Sequence, residues 1–373
     1  MTRAVVIAAR RSAVVPRNGA FRALSVQELA RPVIRAVLRD AGTRADAVGE
    51  LVLSNALGAG GNPARLVALD AGLSQRVAGL SIDRQCGGGL DALLLAQALI
   101  RAGQHEIVLA GGVESYSRRP LRLRTFADGR APQPYDQPPF TPWPDRDPGM
   151  AQAAEDLARA LSITRADQEG WAIASHAAAI ARRAQGPLPE IVAIAGQGVD
   201  PFARRLSPAL CARAQVLAGS VTAATTAVAA DAAAFCLVVS DRVAARLAGG
   251  GSGEGVEIVA GQSLGADPCL PGLAPVAAIR ELLQATATPV ARLAQAEIME
   301  AFAAQAIACQ RESRLPRAIV NPQGGALARG HPIGASGTVL AVRLFHALRR
   351  GGGTGLAAIA AAGGIGTALL MRG

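Results

Sequence analysis

One pattern occurs twice in this chain, and few folds can satisfy it. Asp83-Arg84-Gln85-Cys86-Gly87-Gly88-Gly89-Leu90 runs into an apolar stretch ending at Arg101. Gly330-His331-Pro332-Ile333-Gly334-Ala335-Ser336-Gly337 runs into another that ends at Arg349. Each is followed by a short apolar run closing on paired glycines, Ile107 to Gly112 and Leu356 to Gly364. A glycine turn, a long buried helix and a buried strand, repeated, predict two similar α/β halves. The repeat also sets a thiol at the head of one helix and an imidazole at the head of the other. Those are the residue types of a nucleophile and its base.

The segments between the motifs keep the same alternation. Residues 4–9 predict a buried strand, and residues 26–41 an amphipathic helix with Val26, Leu29, Val33, Ile34 and Val37 at helical spacing. A strand at 50–55, a helix at 62–71, the Cys86 helix and a strand at 107–110 follow. Strand and helix in turn predict a sheet with parallel neighbours. From Arg118 to Gly149 the pattern breaks: eight prolines and the arginines 118, 119, 122, 124 and 130 leave little periodicity. Helices at 151–161 and 165–184 extend this excursion into a lid-like insertion. The α/β pattern resumes near Gly219, with a strand at 235–240 returning to the first half. The glycine run 249–255 predicts a flexible turn, and 256–262 the strand that opens the second half.

Composition removes several classes of function. The formal net charge is +10, yet all 38 basic residues are arginine. They are scattered, with no basic run and no interleaved aromatics for base stacking, which argues against a nucleic-acid partner. The positive field would still attract an acidic small molecule. The cysteines at 86, 211, 236, 269 and 309 form no CxxC pair and meet only four histidines, so neither a metal site nor a disulfide framework is expected. A reducing cytoplasm fits that usage. No segment reaches the ~20 uninterrupted apolar residues of a membrane helix, so a soluble chain without a membrane partner is expected.

Each candidate residue has a plainer reading. A buried cysteine is usually a small inert hydrophobe. The three glycines after Cys86, however, leave N–H groups uncovered at a helix start, where the dipole favours a thiolate and a developing oxyanion. A lone histidine is more often structural, but His331 stands at the repeat's counterpart of the cysteine. Gly58-Ala59-Gly60-Gly61-Asn62-Pro63 mimics a dinucleotide fingerprint and fails at Pro63. The arginines of 118–130 read as a solvated loop face before they read as phosphate ligands.

Three segments resemble one family. Arg84-Gln85-Cys86 with the following Gly-Leu resembles the nucleophile motif of the thiolases, the acyl-CoA acyltransferases and Claisen-type condensing enzymes. Gly111-Gly112-Val113-Glu114-Ser115 resembles their strand-end motif. Asn321-Pro322-Gln323-Gly324-Gly325-Ala326-Leu327-Ala328-Arg329-Gly330-His331-Pro332-Ile333-Gly334 resembles their histidine loop almost letter for letter. The resemblance runs nearly end to end. It implies a five-layered α-β-α-β-α fold of two pseudo-symmetric halves: residues 1–118 with 219–250, and residues 251–373. Residues 119–218 would form an inserted loop domain covering the coenzyme, and the chain would assemble as a homodimer or homotetramer. Cys86 would carry the acyl group of a coenzyme A thioester substrate, with no covalently bound cofactor, and His331 would activate it. Backbone N–H groups of Cys86 and Ala362 would hold the oxyanion. Met150, Ala301 and Phe302 match positions lining the pantetheine tunnel. Such chemistry belongs to fatty-acid and lipid metabolism.

The departures are as specific as the matches. The family's second active-site cysteine, which moves the proton at the substrate α-carbon, is Ala360 here. The Asn of its Asn-Glu-Ala-Phe motif, which anchors a polarising water, is Met299. Ala227 stands where a serine would contact the coenzyme, and Val228 where a glycine would stand. Thioester formation on Cys86 needs none of these groups, whereas carbon–carbon chemistry needs the first two. The departures also fit a second reading, a catalytically weakened homologue that serves as an acyl-CoA- or partner-binding component.

Overall fold

Short-range chemistry sets the ends of the helices. Ser25 accepts from the Glu28 N–H while Glu28 accepts from the Ser25 N–H, a capping box that starts α1 (Val26–Asp40). The Asn62 side chain accepts from the Arg65 N–H and starts α2 (Pro63–Ala71), so the glycine loop before it ends in a helix cap. The structure, a computed structural model, describes residues 2–58, 60–248 and 255–373. The turn expected at 249–255 lies outside them except for Gly255.

The first half runs β1 (Ala4–Ser12), α1, β2 (Glu50–Ser54), α2, β3 (Leu80–Ile82), α3 (Gly88–Arg101) and β4 (Ile107–Glu114). The insertion contributes α4 (Met150–Ala160) and α5 (Arg165–Ala184). Then come β5 (Ala230–Ser240), β6 (Val256–Gly265), α6 (Ala274–Ala285), β7 (Leu293–Ile298), α7 (Ala303–Glu312), α8 (Ile333–Gly351), β8 (Thr354–Ala361) and β9 (Ile365–Arg372).

The strands form one sheet in the order β7-β8-β9-β6-β1-β5-β4-β2-β3. Parallel pairing joins β3–β2–β4 and β7–β8, and Ile191–Val192 pairs parallel with the end of β1. The other pairs are antiparallel, so the expected parallel neighbours are found at β2 and β4 but not at β1, which runs antiparallel to β5 and β6. The reason is topological. Parallel neighbours need a crossover connection, whereas β5 returns to β4 after the long insertion and β8 meets β9 across the short turn at Ala362-Gly363-Gly364.

Alternate residues of the strands enter different cores. In β5, Ala232, Ala234, Cys236 and Val238 face the core that holds Leu90, Leu93 and Ala96 of α3 and Leu340, Leu344 and Phe345 of α8. Ala233, Phe235, Leu237 and Val239 face α1 and α2. In the second half, Leu356, Ala358, Ala368 and Leu370 face α6 and α7. Helices α3 and α8 are therefore sandwiched between the halves of the sheet, with one helical layer outside each half: five layers, as the fold expectation has it.

The two central helices touch through glycine. A Cβ on Gly89 would stand 2.5 Å from the Thr338 N, and one on Gly337 would stand 2.5 Å from the Leu90 N. The Thr338 hydroxyl donates to the Gly89 carbonyl across this contact at 3.0 Å. The glycines of the repeat thus bring the two helix heads together.

Candidate active site

Cys86 lies in a single 3-10 turn, Gln85–Gly87, immediately before α3. The residue before it, Gln85, holds φ at 50°, a left-handed conformation unusual outside glycine, and its N–H donates to the Asp83 carboxylate at 2.8 Å. That kink presents the thiol at the head of the helix. His331 reaches the same point from the other half: its N–H donates to the Val228 carbonyl at 2.7 Å, and Gly330 before it sits at φ 115°.

The two side chains meet, with Cys86 Sγ 3.1 Å from His331 Nε2. His331 Nδ1 lies 2.6 Å from Ser336 Oγ, and that hydroxyl donates to the Pro332 carbonyl at 3.0 Å. A hydroxyl has one proton to give, so Ser336 accepts from Nδ1–H. The bare lone pair of Nε2 is then aimed at the thiol, the tautomer a general base requires.

Electrostatics correct one expectation. The helix head does not hold a resting thiolate: burial pushes the Cys86 thiol up to about 12, with Glu114 and Asp83 adding to the effect and its own backbone N–H opposing it. Burial also holds His331 down to about 4. The resting pair is a neutral thiol facing a neutral imidazole.

Both side chains open onto a cavity of about 480 Å³. Met150, Ala227, Ala301, Phe302, Ala360 and Ala362 line it, so nearly every residue singled out in the sequence converges here. Met299 does not line it. Its side chain is 1 % exposed, packed in the central core. Arg17, Arg119 and Arg122 line the cavity, so the solvated-face reading fails at Arg119 and Arg122, whereas Arg118, Arg124 and Arg130 are exposed as that reading has it. Arg119 pairs with Asp136 at 2.8 Å and lies over the Tyr116 ring, and Arg122 donates to the Ala56 carbonyl at 2.9 Å.

Models of the thiolase N-terminal domain and the thiolase C-terminal domain match residues 4–242 and 254–373. The chain belongs to the thiolase family. Among its relatives is YhfS of Bacillus subtilis (strain 168), provisionally named an acetyl-CoA C-acetyltransferase, 38% identical over 378 residues that cover 99% of each chain. VraB of Staphylococcus aureus (strain COL), with the same provisional name, is 33% identical over 389 residues, covering 100% of this chain and 99% of its own. The crystal structure of the Bacillus anthracis acetyl-CoA acetyltransferase superposes with a TM-score of 0.93 at 32% identity, over 100% of this chain and 99% of that one.

Two parts of this thiolase site were not singled out from the sequence. Ser336 sits in the histidine loop, but nothing in its spacing distinguishes a hydroxyl that orients the imidazole from one that caps a helix. Glu114 closes β4, and its carboxylate accepts from Asn55 Nδ2 at 2.8 Å and from the N–H groups of Ala56, Leu57 and Gly334. It ties the strand end to the head of α8 behind His331. Burial pushes this carboxyl up to about 7 against those donors. Among the described residues, no group of three or more His, Cys, Asp or Glu side chains could hold a metal, and no helix is long and apolar enough to cross a membrane.

Proposed function

We propose that this thiolase is an acyl-CoA acyltransferase that carries its acyl group as a thioester on Cys86. The observation that carries the proposal is the 3.1 Å contact between Cys86 Sγ and the unprotonated Nε2 of His331, on a cavity walled by Met150, Phe302 and three arginines. As the sulfur attacks the thioester carbonyl, Nε2 takes the thiol proton and charge develops on the carbonyl oxygen. The backbone N–H groups of Cys86 and Ala362 are assigned to that oxygen. Collapse breaks the carbon–sulfur bond to the coenzyme, and the imidazolium returns its proton to the departing thiolate. The relatives' names support an acetyl-CoA donor. Arg17, Arg119 and Arg122 supply positive charge for the coenzyme's phosphates.

Transfer of the acyl group onto carbon would need a group to move the proton at the α-carbon, and the methyl of Ala360 lines the cavity where that group would act. That observation favours a second reading, a weakened homologue that binds acyl-CoA or a partner without turnover. Intact-protein mass spectrometry after incubation with a panel of acyl-CoAs separates the two. A single acyl adduct absent from Cys86→Ala supports the acyltransferase. Binding of acyl-CoA without any adduct supports the second reading.

A further inference from the structure

A second cavity lies on the other side of the histidine loop. It has a volume of about 280 Å³, at the lower edge of ligand-sized pockets, and shares no lining residue with the Cys86 cavity. Its walls include Arg182 and Arg183 from the last turn of α5, Asp200, Gln323, and Arg329 and Arg343.

Its charges do not balance. Arg11 is paired with Asp200 at 2.8 Å and Glu190 at 3.3 Å, and Arg343 with Glu297 at 3.0 Å and Glu190 at 3.7 Å. Both Asp200 oxygens accept from Arg11, and one also accepts from the Val14 N–H, so the one carboxylate in the cavity wall is turned to that pair. Three carboxylates thus answer five guanidinium groups. Among the described residues, Arg182, Arg183 and Arg329 have no ion-pair partner. Arg329 is the costly one. Only 3 % exposed, it donates to the Gly324 carbonyl at 2.6 Å and otherwise meets the cavity. A buried guanidinium with no carboxylate in direct contact is disfavoured. Burial, with the neighbouring charge of Arg343, holds it down to about 9 against the opposing pull of Glu297 and Asp200.

We propose that this cavity binds a small free oxyanion, inorganic phosphate being the simplest, between Arg329 and the Arg182–Arg183 pair. The anion supplies the direct ion-pair partner that Arg329, Arg182 and Arg183 lack, and a guanidinium fork matches its oxygens. The site adjoins the loop that carries His331 but is separate from the acyl-CoA cavity, and it stands whatever Cys86 does.

Isothermal titration of the full chain with inorganic phosphate tests this, in the presence of saturating coenzyme A so that the arginines of the other cavity are occupied. The expected result is one saturable phosphate per chain, weakened about tenfold or more in Arg329→Met. Because Arg329 is buried, a second variant guards against misfolding. Arg182→Met with Arg183→Met alters the outer wall, and it should weaken phosphate by about tenfold with an unchanged Tm and unchanged coenzyme A affinity. No saturable binding, or wild-type affinity in either variant, would overturn the proposal.

Discussion

Cys86 and His331, 245 residues apart in sequence, face one another at 3.1 Å as a neutral thiol and a neutral imidazole. Ultraviolet difference absorbance between the protein and Cys86→Ala reads the resting thiolate directly, so no Cys86-dependent thiolate signal should be seen from about pH 6 to about pH 10. Such a signal across that range would mean a preformed thiolate–imidazolium pair. Cys211, Cys236 and Cys309 are buried and should label with iodoacetamide more slowly than Cys86.

The acid limb of acylation follows from His331. Its folded-state value is lowered to about 4, so it remains an unprotonated base well below the ordinary histidine range. Single-turnover acylation should hold its rate as pH falls through about 6.5 and decline only toward pH 4. A half-maximal point near the ordinary histidine value would refute the buried neutral base.

Ser336→Ala tests the tautomer argument. Removing the acceptor of Nδ1–H leaves the ring free to flip or to place its proton on Nε2. Loss of one such hydrogen bond is worth about 1.5–3 kcal/mol once the imidazole becomes charged, or about 10–100-fold in acylation rate. Tm should change little. Unchanged acylation would reduce Ser336 to a helix cap.

Ala360→Cys is the substitution to make for carbon–carbon chemistry. Ala360 lines the cavity, so a thiol there reaches the substrate, and thiolysis of a 3-ketoacyl-CoA should rise by about tenfold or more. Met299→Asn should not help, because its amide would enter the apolar central core at a cost of about 1–3 kcal/mol. Assays of the two single variants separate these outcomes. A gain from Met299→Asn alone would show that the side chain reaches the cavity after all.

The glycine contact between the central helices is open to a stability test. Gly89→Ala drives a methyl into the Thr338 backbone and should cost about 1–3 kcal/mol in urea unfolding. Gly170→Ala, in α5 with open space around it, should instead gain about 0.5–1 kcal/mol. Equal effects would mean that the helices can move apart freely.

Much of this was legible in the chain because the same glycines serve the fold and the site. The runs after Cys86 and around His331 mark close helix contacts, and those contacts bring the thiol to the imidazole. The sheet's antiparallel centre was not legible, since pairing direction depends on where β5 returns after the insertion, and β5 is buried on both faces, so it reads as the continuous apolar run of a parallel strand. Side-chain direction was equally hidden. Met299 carries a motif position yet points into the core, and Ser336 looks like any helix-start serine. Burial decided the state of the thiol: a sequence shows the helix head that lowers a thiol's pKa but not the enclosure that raises it.

The distance in sequence between nucleophile and base has a consequence for the chain as it is made. Cys86, with its strand and helix, leaves the ribosome long before His331 exists. Until the loop at Asn321–His331 has been synthesised and docked, the cysteine has no partner to take its proton, and α3 lacks the helix that covers it. The pairing of this thiol with an imidazole therefore waits until residues 321–331 have been made and docked, and a polypeptide terminated before them has no His331.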